Sequence, residues 1–389
     1  MGAIKNFFEE KKPWSIFKDS MLDWYLTPYI RKLLYTNKPL YIIDCFAGKG
    51  KFDDGTLGSP LIIANKIEGI LDDSKVTNKD IHGIFIEKKY SDELKINLYG
   101  YDKCTAYHGD FEESIDKICK LAERANLFLY IDPYGIKCLK FDYINKICEH
   151  AKYSLEMFIN FNSIGFIREA CRVLRYMANE ILEDDLDENY EVQELSIDNL
   201  NKIFNGHEWM DLVNRFYKRD LSFYRLEEEL VKQYLKNIDC KFKYSLNIPI
   251  KTKQKNIPKY RMIFCTNNKE GLFLMNDNMH KTLLKMRDNE LQGQIAFFSL
   301  PIANDVESLE NYISKILENQ DAVNYIDLAC EIISQANVIY SEKDIQEKLN
   351  EFEDNKYISI KRIPKAGYIP KRQLCGWNYK KYDIIIQNL

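Results

Sequence analysis

The sequence predicts an open α/β fold, a mostly parallel sheet with helices on both faces. Two observations carry this. Strand-like and helix-like stretches alternate four to five times between residues 40 and 161. That is the pattern of strands joined by helical crossovers. In addition, four successive strand runs end at an acid: Asp44, Glu87, Asp110 and Asp132. In a parallel sheet all four would lie on one edge, where ligands bind outside the carboxyl ends of the strands.

The elements follow in order. Residues 14–34 place Ile16, Met21, Leu22, Tyr25, Leu26 and Tyr29 at helical spacing, with Ser15 or Asp19 available as a cap. The run Leu40 to Ile43 reads as the first strand and leads into "DCFAGKG". A helix is expected after Gly58-Ser59-Pro60, since proline suits a first helical position. Then come strand 82–87, helix 90–99, strand 104–109, helix 111–124, strand 127–131, helix 140–151 and strand 155–161. "NLFLYIDPYGIK", residues 126–137, has five apolar residues in a row, as a strand buried on both faces should.

Residues 163–236 break the rhythm and read as an acidic helical insertion. Strands 241–250 and 259–267 then form a hairpin at the sheet edge, around a basic loop. From residue 322 onward the order is helix, a helix started by Ser341, and a basic strand pair, which is the pattern of a winged helix. The expected division is 1–162 for the core, 163–236 for the insertion, 237–320 for the hairpin and following helices, and 321–389 for the winged-helix-like module.

The 389 residues carry a net charge of −4, which signals no nucleic-acid binding by itself. The distribution says more. Residues 181–212 hold ten acidic residues and one basic. Residues 232–261 hold nine basic and one acidic, and residues 356–389 hold eight basic and one acidic. Such stretches are either solvated surface or faces for a polyanion. On the second reading Lys251, Lys253, Lys255 and Lys259, with Lys361, Arg362, Lys371 and Arg372, contact nucleic acid. Trp377 and Tyr379 either stack on bases or pack inside. The ten cysteines include no Cys-x-x-Cys pair, and Cys104 with His108 lacks matching ligands, so no metal site is expected. No signal peptide or membrane-length apolar run is seen, and a reduced, cytoplasmic protein is expected.

"IIDCFAGKG" gives Asp44 and then Gly48 and Gly50, where the backbone can approach a ligand closely. It is not the Gly-x-Gly-x-x-Gly of a dinucleotide site, and suits a cofactor without a pyrophosphate. Glu87 could accept from ribose hydroxyls. Asp110 could meet a base together with Phe111, or cap helix 111–124 with Glu113 in a capping-box-like pattern. Asp132-Pro-Tyr-Gly closes the fourth strand.

The series strand–Asp-x-Phe-Ala-Gly-x-Gly, strand–Glu, strand–Gly-Asp, strand–Asp-Pro-Tyr resembles the class I methyltransferases that use S-adenosylmethionine. The chain is more specifically similar to the three-Cys-motif partner (TcmP) family, through residues 42–60, 129–135, 158–170 and 262–275 and the basic C-terminal stretch. It is more distantly similar to ribosomal RNA adenine-N6 methyltransferases. Those pair Lys-His with Asp-Pro-Pro-Tyr; this chain has Lys18-Asp19 and Asp-Pro-Tyr-Gly. The resemblance implies S-adenosylmethionine held by Lys18, Asp44, Phe46, Ala47, Gly48, Gly50, Ser59, Glu87, Asp110 and Phe111. It implies that Asp132 and the Pro133 carbonyl accept from a substrate amine while Tyr134 stacks on a flipped base. It also implies a radical-type iron–sulfur partner protein. Two function readings follow: a methyltransferase acting on nucleic acid, or a non-catalytic or weakly catalytic partner subunit that recruits that protein or its substrate, with the acidic segment 183–198 as docking face.

Overall fold

The computed structural model describes residues 11–176, 194–251, 258–291, 307–318, 320–366 and 376–389. It divides into two units, Met1–Asn267 and Asn268–Leu389.

In the first unit the order is α1 (Pro13–Leu34), β1 (Leu40–Asp44), α2 (Ser59–Leu71), β2 (Ile81–Glu87), α3 (Ser91–Asn97), β3 (Cys104–His108), α4 (Phe111–Ala122), β4 (Asn126–Ile131), α5 (Phe141–His150) and β5 (Leu155–Phe161). There follow α6 (Ser163–Val173), α7 (Ile197–Phe204), α8 (Trp209–Tyr217), α9 (Phe223–Asp239), β6 (Tyr244–Lys251) and β7 (Pro258–Thr266). The seven strands form one sheet in the order β3-β2-β1-β4-β5-β7-β6. Strands β1 to β5 are parallel, and β7 runs antiparallel to both neighbours. Order reverses between β1 and β4, which is the switch point where such sheets bind ligands.

Local chemistry sets the boundaries. Helix α1 starts at Pro13 after Lys12, with no side-chain cap, so Ser15 and Asp19 lie inside the helix instead of capping it. Asp110 caps α4 by accepting from the Glu113 N–H at 3.1 Å. Strands β4 and β5 are buried along their whole length, as their apolar runs require. The described helices α6 to α9 pack against the sheet. Phe166, Phe204, Trp209, Leu226 and Tyr234 join the same core as the sheet residues Leu129, Ile159 and Ile263. Tyr234 stacks on Phe161 of β5 at 4.2 Å between ring centroids. Most of the acidic segment 183–198 lies outside the described residues.

The second unit comprises α10 (Lys269–Leu291), α11 (Leu309–Glu318), β8 (Ala322–Asn324), α12 (Tyr325–Ala336), a 3-10 turn (Asn337–Ile339), α13 (Glu342–Asp354), β9 (Ile358–Pro364) and β10 (Tyr382–Asn388). Its strands form a sheet in the order β8-β10-β9. The boundary separates two parts of the expected 237–320 segment: the hairpin β6–β7 belongs to the first unit's sheet, and α10 packs on α12 and α13 in the second. Helix α12 begins at Tyr325, later than residue 322, because Asn324 ends β8 and caps the helix by accepting from Ile326 N–H at 2.9 Å. Ser341 starts α13 through a capping box with Asp344.

One buried acid ties α1 to the sheet. Glu156 of β5 accepts from Tyr25 Oη at 2.6 Å and from Thr266 Oγ1 at 2.8 Å. Burial pushes its pKa up to about 7, against the pull of those two hydroxyls. The folded state therefore holds this proton more tightly than the unfolded chain. Its contribution to stability is full below the unfolded value of 4.5 and is lost as pH rises through about 7. Glu156→Gln should consequently gain about 2 kcal/mol on the wild type between pH 5 and pH 8. Urea melts at the two pH values measure it, and an unchanged difference contradicts it.

Candidate functional site

The parallel strands bring the four sequence-predicted acids to one edge of the sheet. Asp44 ends β1 and Glu87 ends β2, Asp132 directly follows β4, and Asp110 comes after β3 with Gly109 between. Each acid has a distinct set of partners.

Asp44 is fully buried. Its Oδ1 accepts from the Phe46 N–H at 3.1 Å. Its Oδ2 has no hydrogen-bond partner among the described residues. Burial pushes its pKa up to about 7, although the Ser59 hydroxyl and the Phe46 N–H pull the other way. Glu87 holds the glycine loop: Oε2 accepts from Gly48 N–H at 2.7 Å, and Oε1 accepts from Lys89 N–H at 2.7 Å and Tyr90 N–H at 3.0 Å. Gly48 and Gly50 both have positive φ, 61° and 84°. A side chain at Gly58 would press on the Gly50 carbonyl at 3.1 Å, so the loop returns on itself through close backbone contact. The Gly58 N–H donates to that same carbonyl at 2.8 Å. Ser59 opens α2 beside it.

Asp110 is a cap and also pairs with Lys88 at 2.8 Å, and that lysine holds its carboxyl below the usual range. Phe111 does not line the edge as a base-stacking ring. It is buried in the core, 5.6 Å from the half-buried Phe46, because the first turn of α4 turns it beneath the sheet edge. Ala47 is buried, and its N–H donates to the Ile86 carbonyl at 3.0 Å.

The densest cluster surrounds Asp132. Its Oδ2 accepts from Lys18 Nζ of α1 and, at 3.3 Å, from Tyr130 Oη. Its Oδ1 accepts from Asn160 Nδ2 of β5 at 2.7 Å. Burial lowers the Lys18 pKa, but the Asp132 carboxylate outweighs it, and Lys18 ends above the ordinary lysine value. Lys18 thus stands on the candidate catalytic acid. Asp19 beside it is buried and pairs with Lys11 at 2.5 Å, and Lys11 also donates to the Leu57 carbonyl at 2.7 Å. Burial raises the Asp19 pKa. Pro133 is buried, while Tyr134 is 59% exposed.

The β6–β7 hairpin base lies at the same end. Tyr260 Oη donates to the Trp14 carbonyl at 3.2 Å, the Lys18 ammonium stands 5.8 Å from the Tyr260 ring, and Lys259 Nζ sits 3.9 Å from the Trp14 ring centroid. Of the four lysines expected to face nucleic acid here, Lys253 and Lys255 lie outside the described residues. Lys251 is only 5% exposed, at a register irregularity that ends β6, and so is not a surface charge. In the second unit Lys361 is exposed, and Lys371 and Arg372 lie outside the described residues. Arg362 is turned inward: it pairs with Glu353 at 3.3 Å and lies 5.5 Å from the Trp377 ring. Trp377 and Tyr379 pack on Tyr325 at 4.7 and 6.2 Å, which is the interior reading of these aromatics.

Asn160, Tyr130 and Tyr260 were not singled out from sequence. The available signal was a polar residue inside the apolar run "LEMFINF". Among the described residues no three His, Cys, Asp or Glu side chains cluster so as to hold a metal ion. No described helix is long and apolar enough to cross a membrane.

The strand order, with β7 as the one reversed strand, makes this a Rossmann-like class I methyltransferase fold. No family model and no curated protein matches the chain. Among solved structures it is similar to protein LPL1258 from Legionella pneumophila, with 11% identity over 72% of this chain and 94% of that one and a TM-score of 0.41. It is also similar to a putative O-methyltransferase from Klebsiella pneumoniae, with 10% identity over 67% and 92% and a TM-score of 0.31. The O-methyltransferase from Bacillus cereus, solved with SAH, shows 10% identity over 66% and 83% and a TM-score of 0.31.

The Lys18–Asp132 pair is largely buried on both sides. Removing one partner of such a pair leaves a desolvated charge. Lys18→Met and Asp132→Asn should each cost about 3 kcal/mol, and the double variant much less than their sum. Denaturant melts of the four proteins measure this coupling; additive losses contradict it.

Proposed function

We propose that the protein is an S-adenosylmethionine-dependent methyltransferase acting on an exocyclic amine of a nucleic-acid base. The observation that carries this reading is the carboxylate edge itself: Glu87, Asp44 and Asp132 stand at the carboxyl ends of three adjacent strands, β2, β1 and β4, across the switch point. Its residues fit the cofactor. Asp44 has a buried acceptor atom that makes no hydrogen bond among the described residues, suited to an ammonium group. Gly48 has a conformation that leaves its face open to close approach. Glu87 would exchange one of its backbone partners for ribose hydroxyls. Phe46, Ala47, Gly50, Ser59 and Asp110 would shape the remaining wall. The bound cofactor supplies an electrophilic methyl group.

The chain then has to orient the amine. An exocyclic amine is a poor nucleophile because its lone pair is delocalised into the ring. Asp132 and the Pro133 carbonyl would accept its N–H bonds, and Asp132 can take the proton the amine loses. The exposed Tyr134 ring would stack on the flipped base. Lys18 neutralises the charge of Asp132 and fixes its direction. Such positioning is the larger part of what a protein contributes to this chemistry.

The substrate class rests on two basic features. Lys259 at the hairpin base lies on the same side as Asp132, next to Trp14 and Tyr260. From α11 on, the second unit runs helix, strand, two helices and two strands, with sheet order β8-β10-β9, which supports a winged-helix reading. In that module α13 carries six acidic and two basic residues. Phosphate contact would therefore fall on the strand pair, where Lys361 is exposed. Kinship with the three-Cys-motif partner family, and through it a radical-type iron–sulfur partner, belongs to the same proposal.

Calorimetric titration with S-adenosylmethionine tests the cofactor part. Wild type should bind at micromolar concentration, and Asp44→Ala and Glu87→Ala should each weaken binding about tenfold or more, as loss of a hydrogen bond to a charged group does. Because burial sets the Asp44 pKa at about 7, affinity for this cation should rise from pH 6 to pH 8, and Asp44→Asn should abolish that rise. No binding by the wild type would overturn the reading.

A further inference from the structure

We propose that Asn160 reads the substrate: its Oδ1, in place of the Pro133 carbonyl named above, and the Asp132 carboxylate form two adjacent acceptors that take both N–H bonds of a substrate amino group. The inference rests on the methyltransferase reading and extends it to a residue outside the Asp-Pro-Tyr-Gly stretch.

Asn160 is a polar residue in a strand that is buried at every position, and it is itself only 8% exposed. The pairing of Ile131 with Ile159 sets it beside Asp132. Its Nδ2 donates to Asp132 Oδ1 at 2.7 Å. A carboxylate beside a lysine offers only acceptors, so the amide must present its nitrogen there. That choice fixes Oδ1 one amide width away. Oδ1 is buried and has no hydrogen-bond partner among the described residues. A buried acceptor left unmade is costly, and native structures retain one chiefly where a ligand or water completes it.

Among the described residues none of the neighbouring donors reaches Asn160 Oδ1. Lys18 and Tyr130 donate to Asp132, and Tyr260 donates to the Trp14 carbonyl. Asn160 Oδ1 still lacks a donor among the described residues, and a ligand that brings one completes it. A hydroxyl brings one hydrogen, whereas an amino group brings two, diverging enough to meet two acceptors. A keto base would set its own oxygen against Asn160 Oδ1 and be rejected. Sites built to hydrogen-bond a substrate group discriminate strongly against analogues lacking it. The corner therefore selects adenine, cytosine or guanine over hypoxanthine and uracil.

The test is transfer of a tritiated methyl group from S-adenosylmethionine to poly(A), poly(C), poly(G), poly(I) and poly(U). Poly(A) and poly(I) differ where an amino group replaces a keto oxygen. Wild type should label at least one amino polymer and neither keto polymer. Asn160→Ala should lower kcat/KM by about tenfold or more, with calorimetric affinity for S-adenosylmethionine unchanged. Asn160→Ser, which can still donate to Asp132 and accept from an amine, should recover part of the loss. An Asn160→Ala enzyme as fast as wild type overturns the proposal alone, and equal labelling of poly(A) and poly(I) overturns the exocyclic-amine reading and this proposal with it. Wild type that binds S-adenosylmethionine but labels no polymer overturns the nucleic-acid reading and this proposal with it. If Asn160→Ala does not fold, Asn160→Ser decides: kcat/KM equal to wild type overturns the proposal, and a partial loss with unchanged affinity for S-adenosylmethionine supports it.

Discussion

The ion pair between Lys18 and Asp132 is the interaction on which the site depends. It joins the first helix to the end of β4, next to the point where strand order reverses. Both groups are largely withdrawn from water, so neither can be left alone there. Lys18 reaches Asp132 because α1 packs along the sheet through Tyr25 and Tyr29, which stack near Phe128 of β4. Packing at one end of α1 thus sets charge geometry at the other.

Around this pair, polar residues inside apolar strands share a common arrangement. Glu156 spends both oxygens on hydroxyls of α1 and β7. Arg261 of β7 forms a fork on Glu227 of α9 at 2.9 and 2.5 Å, and Ser163 Oγ donates to the same carboxylate at 2.7 Å. These groups are satisfied within the fold and tie helices to the sheet. Asn160 and Asp44 differ, since each keeps one buried oxygen without a partner among the described residues. Completed networks read as framework, and these two incomplete ones, at the carboxyl edge of the sheet, as places where a ligand belongs.

Much of this was legible in the sequence. The parallel strands were visible because their apolar runs are uninterrupted and each stops at or next to an acid. Asp110 as a cap was legible because capping is decided within four residues. What depended on tertiary direction was not legible. Phe111 follows Asp110 directly, yet its ring enters the core. Arg362 sits in a basic run, but strand alternation turns it toward Glu353, while Lys361 faces out. Charge composition locates basic segments and cannot say which side chains of a strand face solvent. Asn160 was overlooked for a related reason: a single amide in an apolar strand has meaning only when its neighbour across the ladder is known to be Asp132.

The most direct test of the account is a crystal structure of the protein with S-adenosylhomocysteine. The account predicts the ligand at the carboxyl edge of β1, β2 and β4, with its ammonium on Asp44, its ribose on Glu87, and its sulfur directed toward Asp132. Binding elsewhere, or an Asp44–Glu87–Asp132 edge that stays closed by its own side chains at saturating ligand, would contradict it.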